Sequence, residues 1–92
     1  MQVKVKIFSQ AIPDYFEVEL DDGSSVETLL IRIRERVVRE NSGSGSHKVA
    51  FVNNAGSLVV LLNGLSIYAL SGWKTTLQQG DEVSLLPMVA GG

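Results

Sequence analysis

The hydrophobic period of this chain switches from two to about 3.6 and back to two, and that alternation limits the layers it can form. Val3, Val5 and Ile7 alternate with Lys4, Lys6 and Phe8. This is the period-2 pattern of a half-buried strand, with Phe8 left on the charged side. After a turn signal at Pro13-Asp14, Phe16, Val18 and Leu20 alternate with Glu17 and Glu19, so the chain opens on a β-hairpin. Asp21-Asp22-Gly23 ends it, and Ser24 with Glu27 three residues later fits a capping box. In such a box each side chain satisfies a backbone N–H that the first helical turn leaves free. Val26, Leu29, Leu30, Ile33 and Val37 then recur at helical spacing, with Arg32, Glu35, Arg36 and Arg39 on the remaining faces as a solvated surface.

Beyond the helix, Leu58-Val59-Val60-Leu61-Leu62 is continuously apolar and closed by Asn63-Gly64. That pattern predicts a strand covered on both faces and central in its sheet. A short segment follows around Ser66-Ile67-Tyr68, then a turn at Ser71-Gly72 and the pair Thr76-Leu77. Gln79-Gly80-Asp81 turns the chain into a last strand, Glu82-Val83-Ser84-Leu85-Leu86, which runs straight into Pro87. The order predicts an α+β domain over residues 1–86, a mixed sheet of four to five strands packed on one main helix, followed by a flexible tail over 87–92. It is the element order of a β-grasp, the ubiquitin-like fold. One helix covers one face of a sheet. Phe8 and Leu86 fall opposite their strands' buried sets, so with one alternating set of Leu58–Leu62 they form a candidate docking patch on the other face.

Asn41 to Ser57, with Ser-Gly-Ser-Gly-Ser-His and Asn53-Asn54-Ala55-Gly56, reads as a long mobile connection to which the sequence gives no role. The 92 residues suffice for one domain with one core. A formal net charge of −2 argues against phosphate-backbone binding, which uses clustered Lys and Arg, so nucleic acid is excluded as a partner class. No apolar run approaches the roughly 20 residues needed to span a membrane, and no secretory signal pattern opens the chain, so a cytoplasmic protein away from the membrane is expected. With no cysteine there is no disulfide, thiolate metal site or thiol nucleophile. No metal site is expected.

Few side chains qualify as catalytic. His47, the single histidine, sits in the Gly/Ser-rich connection and reads as solvated. Asp81 and Glu82 are adjacent strand residues that point to opposite faces, so a turn role for Asp81 is the better account. Tyr68 and Trp73 read as packing residues.

The chemistry-bearing feature is the end of the sequence. Leu61-Leu62-Asn63-Gly64, then Leu77-Gln78-Gln79-Gly80-Asp81-Glu82-Val83, then Leu85-Leu86-Pro87-Met88-Val89-Ala90-Gly91-Gly92 resembles the MoaD/ThiS family of ubiquitin-like sulfur carriers, and within it the molybdopterin synthase small subunits. The Gly-Asp-Glu-Val strand followed by Pro-x-Val-Ala-Gly-Gly is the specific part. The molybdopterin type more often carries a second proline where Met88 stands.

The resemblance implies that the working group is the C-terminal carboxylate of Gly92, adenylated by an ATP-dependent E1-like enzyme and converted to a thiocarboxylate that donates sulfur in molybdenum or tungsten cofactor synthesis. No cofactor would be bound by the chain itself, ATP being used by the activating partner. The catalytic groups would then belong to partners, the E1-like enzyme and the large synthase subunit, the latter in a heterotetramer. The chain would be the sulfur-donating small subunit and not itself an enzyme. Thiamine synthesis, tRNA thiolation and conjugation to protein lysines as a ubiquitin-like modifier are the alternatives. The tail suits such a role. Pro87, Met88, Val89, Ala90, Gly91 and Gly92 can span about 20 Å when extended, and the two glycines carry no Cβ to obstruct a narrow channel in a partner.

Overall fold

A computed structural model describes residues 1–8, 14–40 and 58–87 of the chain, the side chains of Val37, Val38, Glu40 and Pro87 excepted. The expected connection Asn41–Ser57, with His47 in it, lies outside the described residues, as do Met88, Val89, Ala90, Gly91 and Gly92. In chain order the elements are β1 (Gln2–Ile7), β2 (Asp14–Glu19), α1 (Val26–Glu40), β3 (Leu58–Leu62), β4 (Leu65–Ser66) and β5 (Glu82–Pro87). Two single 3₁₀ turns, Ile67–Ala69 and Gly72–Lys74, lie between β4 and β5. The strands form one five-stranded sheet in the order β2-β1-β5-β3-β4. β1 and β5 run parallel and the other pairs antiparallel, so the sheet is mixed, as expected.

The alternation in β1 buries Val3, Val5 and Ile7 completely on the side that faces α1. Val26, Leu29, Leu30 and Ile33 of α1 meet them there, together with Val60, Ile67, Leu77, Val83 and Leu85. Burying side chains of this size removes about 1.5–3 kcal/mol each of unfavourable apolar hydration, before the entropy of ordering them is subtracted. The expected helical face is thus the core face over its described side chains. The remaining faces are not all solvated: the Arg36 guanidinium lies 4.3 Å over the Phe16 ring and donates to the Glu17 carbonyl at 3.1 Å, clamping α1 to β2.

Three expectations need correction. The helix cap is displaced by one residue. Ser25 Oγ accepts from the Thr28 N–H at 3.3 Å, whereas Ser24 Oγ donates to the Asp21 carbonyl and belongs to the preceding turn. Ser25 also bridges to Thr76, and the Leu77 N–H donates to the Ser24 carbonyl at 2.8 Å, which pins the helix start to the chain before β5. Second, among the described residues β3 is fully buried on one face, with Leu58, Val60 and Leu62, and only half-buried on the other, with Val59 and Leu61. The middle strand of the sheet is β5. Third, Tyr68 is 66% exposed and is not a packing residue, because the 3₁₀ turn buries its neighbour Ile67 instead. Trp73 does pack against the core.

Asn63-Gly64 makes the tight β3–β4 hairpin. Both residues have positive φ, 52° and 86°, as the mirror-image turn that matches strand twist requires. The Asn63 side chain then bridges to β5, accepting from the Glu82 N–H at 2.9 Å and donating to Asp81 Oδ1 at 3.0 Å. Asp81 Oδ2 accepts from the Gln78 N–H at 2.8 Å, so its carboxylate is occupied by the turn and is not half of a catalytic pair.

Candidate functional site: the outer sheet face and the end of β5

Strand register sorts the face opposite α1 into rows. At one end Glu17, Lys4 and Glu82 stand side by side across β2, β1 and β5. In the middle lie Tyr15, Lys6, Ser84 and Leu61 across β2, β1, β5 and β3. At the far end Leu86 pairs with Val59, and Phe8 follows one position beyond the Ile7–Leu85 pair, its N–H donating to the Leu85 carbonyl at 2.9 Å. The face therefore grades from charged to apolar along β5, in the direction in which the strand leads to its last residue, Pro87.

Phe8 and Leu86 share this end of the face and are half-buried, with Val59 and Leu61 beside them. Two contributors were not picked out by the sequence reading. Tyr15, 53% exposed, lies level with Lys6, and the Lys6 ammonium stands 5.6 Å from the Phe8 ring centre and 5.7 Å from that of Tyr15. The period-2 alternation of β2 already placed Tyr15 on the side of Glu17 and Glu19, so the signal was present. Pro87 is the last residue of β5 and pairs with Leu58, so the strand extends one residue into the segment expected as tail. The other tail positions, Met88, Val89, Ala90, Gly91 and Gly92, lie outside the described residues.

No group of three or more His, Asp or Glu residues that could hold a metal occurs among the described residues. Nor is any helix of the described residues long and apolar enough to cross a membrane.

The model of the ThiS family matches residues 5–92. The chain belongs to the ThiS family of ubiquitin-like sulfur carriers. The match spans the β-grasp body and the Gly91-Gly92 end alike. Solved structures agree on the fold. The chain is similar to the putative molybdopterin converting factor subunit 1 from Pyrococcus furiosus (24% identity, TM-score 0.64, covering 96% of this chain and 98% of that one). It is similar also to SAMP1 from Haloferax volcanii (21% identity, TM-score 0.62, both chains covered completely). A third similar structure is from the complex of subunits 1 and 2 of molybdopterin-converting factor from Helicobacter pylori (24% identity, TM-score 0.57, both chains covered completely). Among curated proteins none gives a significant match.

Proposed function

We propose that this ThiS-family chain carries sulfur as a thiocarboxylate on Gly92 and delivers it in molybdopterin synthesis while its outer sheet face is docked on a large-subunit partner. The observation that carries the reading is the family match over residues 5–92, which takes in the tail as well as the fold. The apolar row Phe8, Leu86 and Val59, at the end of the strand that continues into that tail, supports it. A partner seated there receives the tail beside the docking surface.

A carboxylate resists nucleophilic attack because it is already anionic and its oxygen leaves poorly. In the proposed cycle a Gly92 carboxylate oxygen attacks the α-phosphorus of ATP on an E1-like enzyme and pyrophosphate departs. Hydrosulfide, sulfur at the sulfide level, then adds to the acyl carbon and AMP leaves, giving the thiocarboxylate with loss of a proton to solvent. Its sulfur attacks an electrophilic carbon of the precursor on the large subunit and displaces an oxygen leaving group there. Water then cleaves the acyl C–S bond, leaving the sulfur on the product and restoring the Gly92 carboxylate. The chain supplies the carrier group and the docking surface, and the partners supply the catalytic side chains, in the cytoplasm where ATP and the activating enzyme meet it.

The test is a one-residue extension beyond Gly92, verified uncleaved, assayed for sulfur delivered. Delivery should be abolished, while stability shifts by no more than about 0.5 kcal/mol. Delivery at the parent rate would overturn the reading. Likeness in fold to SAMP1 structures, that of the small archaeal modifier protein 1 of Methanosarcina acetivorans among them, favours protein conjugation as a second reading. Isopeptide links from Gly92 to lysines of other proteins would distinguish it.

A further inference from the structure

Lys4 and Lys6 lie on the same strand and point to the same outer face, yet their neighbours differ. Lys4 is flanked in register by Glu17 on β2 and Glu82 on β5. Lys6 is flanked by Tyr15 and Ser84, and among the described residues its ammonium meets the rings of Phe8 and Tyr15. Met1 pairs with Glu19 and Asp22, and Arg32 with Glu35, and none of these ion pairs involves Lys6. Residues 9–13, 41–57 and 88–92 contain no Asp or Glu, so the carboxylate these segments hold is that of Gly92, which the proposed function commits to the partners. Lys6 is thus a half-buried cation held by two aromatic rings amid the apolar side chains of the docking face.

A partner that covers this face strips water from that ammonium. Desolvating an unpaired charge costs several kcal/mol, which ring contacts at this distance offset only in part, so a purely apolar partner surface is disfavoured. We infer that the outer sheet face docks a protein surface that is apolar around its centre and brings a carboxylate to the Lys6 ammonium, making Lys6 the residue that selects the partner. The inference rests on the proposed docking of a large subunit through this face. It adds the chemistry of that subunit's surface: aliphatic or aromatic groups against Phe8, Leu61 and Leu86, and one Asp or Glu between them. The same cation repels any competing surface with Lys or Arg at that point, which is how a charge confers specificity.

The experiment measures binding of the full chain to its cognate large subunit, of the molybdopterin-converting subunit 2 type, by calorimetry at low and high salt. Four proteins are compared: parent, Lys6→Met, Lys6→Glu and Leu86→Asp, with unchanged thermal midpoints verifying their folds. Lys6→Met keeps the length and apolar contacts of the side chain while removing its charge. It should weaken binding by about tenfold and flatten the salt dependence, and Lys6→Glu should weaken it further. Reversing one acidic residue of the large subunit to Lys should restore affinity for Lys6→Glu but not for Leu86→Asp. Parent-like affinity and salt dependence for Lys6→Met, with Leu86→Asp impaired, would overturn the role of Lys6 and leave the docking face standing. Failure of every such partner reversal to restore Lys6→Glu would overturn the facing carboxylate. If Leu86→Asp also bound like the parent, the docking face would fall together with the inference.

Discussion

On its inner face the sheet presents Val3, Val5, Ile7, Val60, Val83 and Leu85, each at most 1% exposed, whereas on its outer face Phe8, Val59, Leu61 and Leu86 remain half-exposed. The side chains are of one chemical kind and differ in what covers them. On the inner side α1 supplies the cover, and the contact is made once, on folding. Apolar groups on the outer side are buried only in part by folding, and the area left open can gain from a partner. Leu85 and Leu86 are successive residues of β5, so one peptide bond separates a residue that holds the fold from one proposed to hold a complex.

That adjacency can be tested directly. Leu85→Ala should lower the free energy of unfolding by about 2–5 kcal/mol through the cavity it leaves, measured by denaturant titration. An unchanged midpoint would remove the distinction between the faces. Leu86→Asp should weaken large-subunit binding at least tenfold, since a carboxylate desolvated in an apolar contact costs more than 1.4 kcal/mol, while shifting stability by under about 1 kcal/mol. Equal losses of stability in the two variants would show that Leu86 belongs to the core. Smallest is Ser25→Ala, expected to cost about 1 kcal/mol by removing the cap that starts α1 over the inner face. Glu27→Ala should cost less than that, and the reverse ranking would restore the capping box at Ser24 and Glu27.

The elements were legible in the sequence wherever a period was long enough to count. Val3-Val5-Ile7 and Leu29-Leu30-Ile33 report their own burial because each needs only its local spacing. Ser24 and Ser25 are both acceptable cap residues, so local spacing favours Ser24 where the structure uses Ser25. Only the pairing of Ser25 with Thr76, from the far side of the helix start, decides between them. The apolar run of β3 shows that Val59 and Leu61 avoid water but not what covers them, so the run fits cover on both faces as well as an outward apolar row. Parallel pairing of β1 with β5 joins the two ends of the domain and leaves no mark in either strand's own pattern. Of the site, Phe8 and Leu86 could be found by counting alternate residues. The position of Lys6 between two rings depends on Tyr15 arriving from β2, which needs the hairpin register.

The central claim is that sulfur rides on Gly92, and intact-mass measurement of the chain reads it directly. After incubation with the cognate activating enzyme, ATP and a sulfur donor, the account predicts a mass gain equal to exchange of one oxygen for sulfur. The gain should map to the fragment ending in Gly92 and disappear once sulfur is delivered. Because the chain has no cysteine, no thiol is present to hold the added sulfur elsewhere. An unchanged mass under conditions that charge a control carrier, or a gain that maps to another fragment, would contradict it.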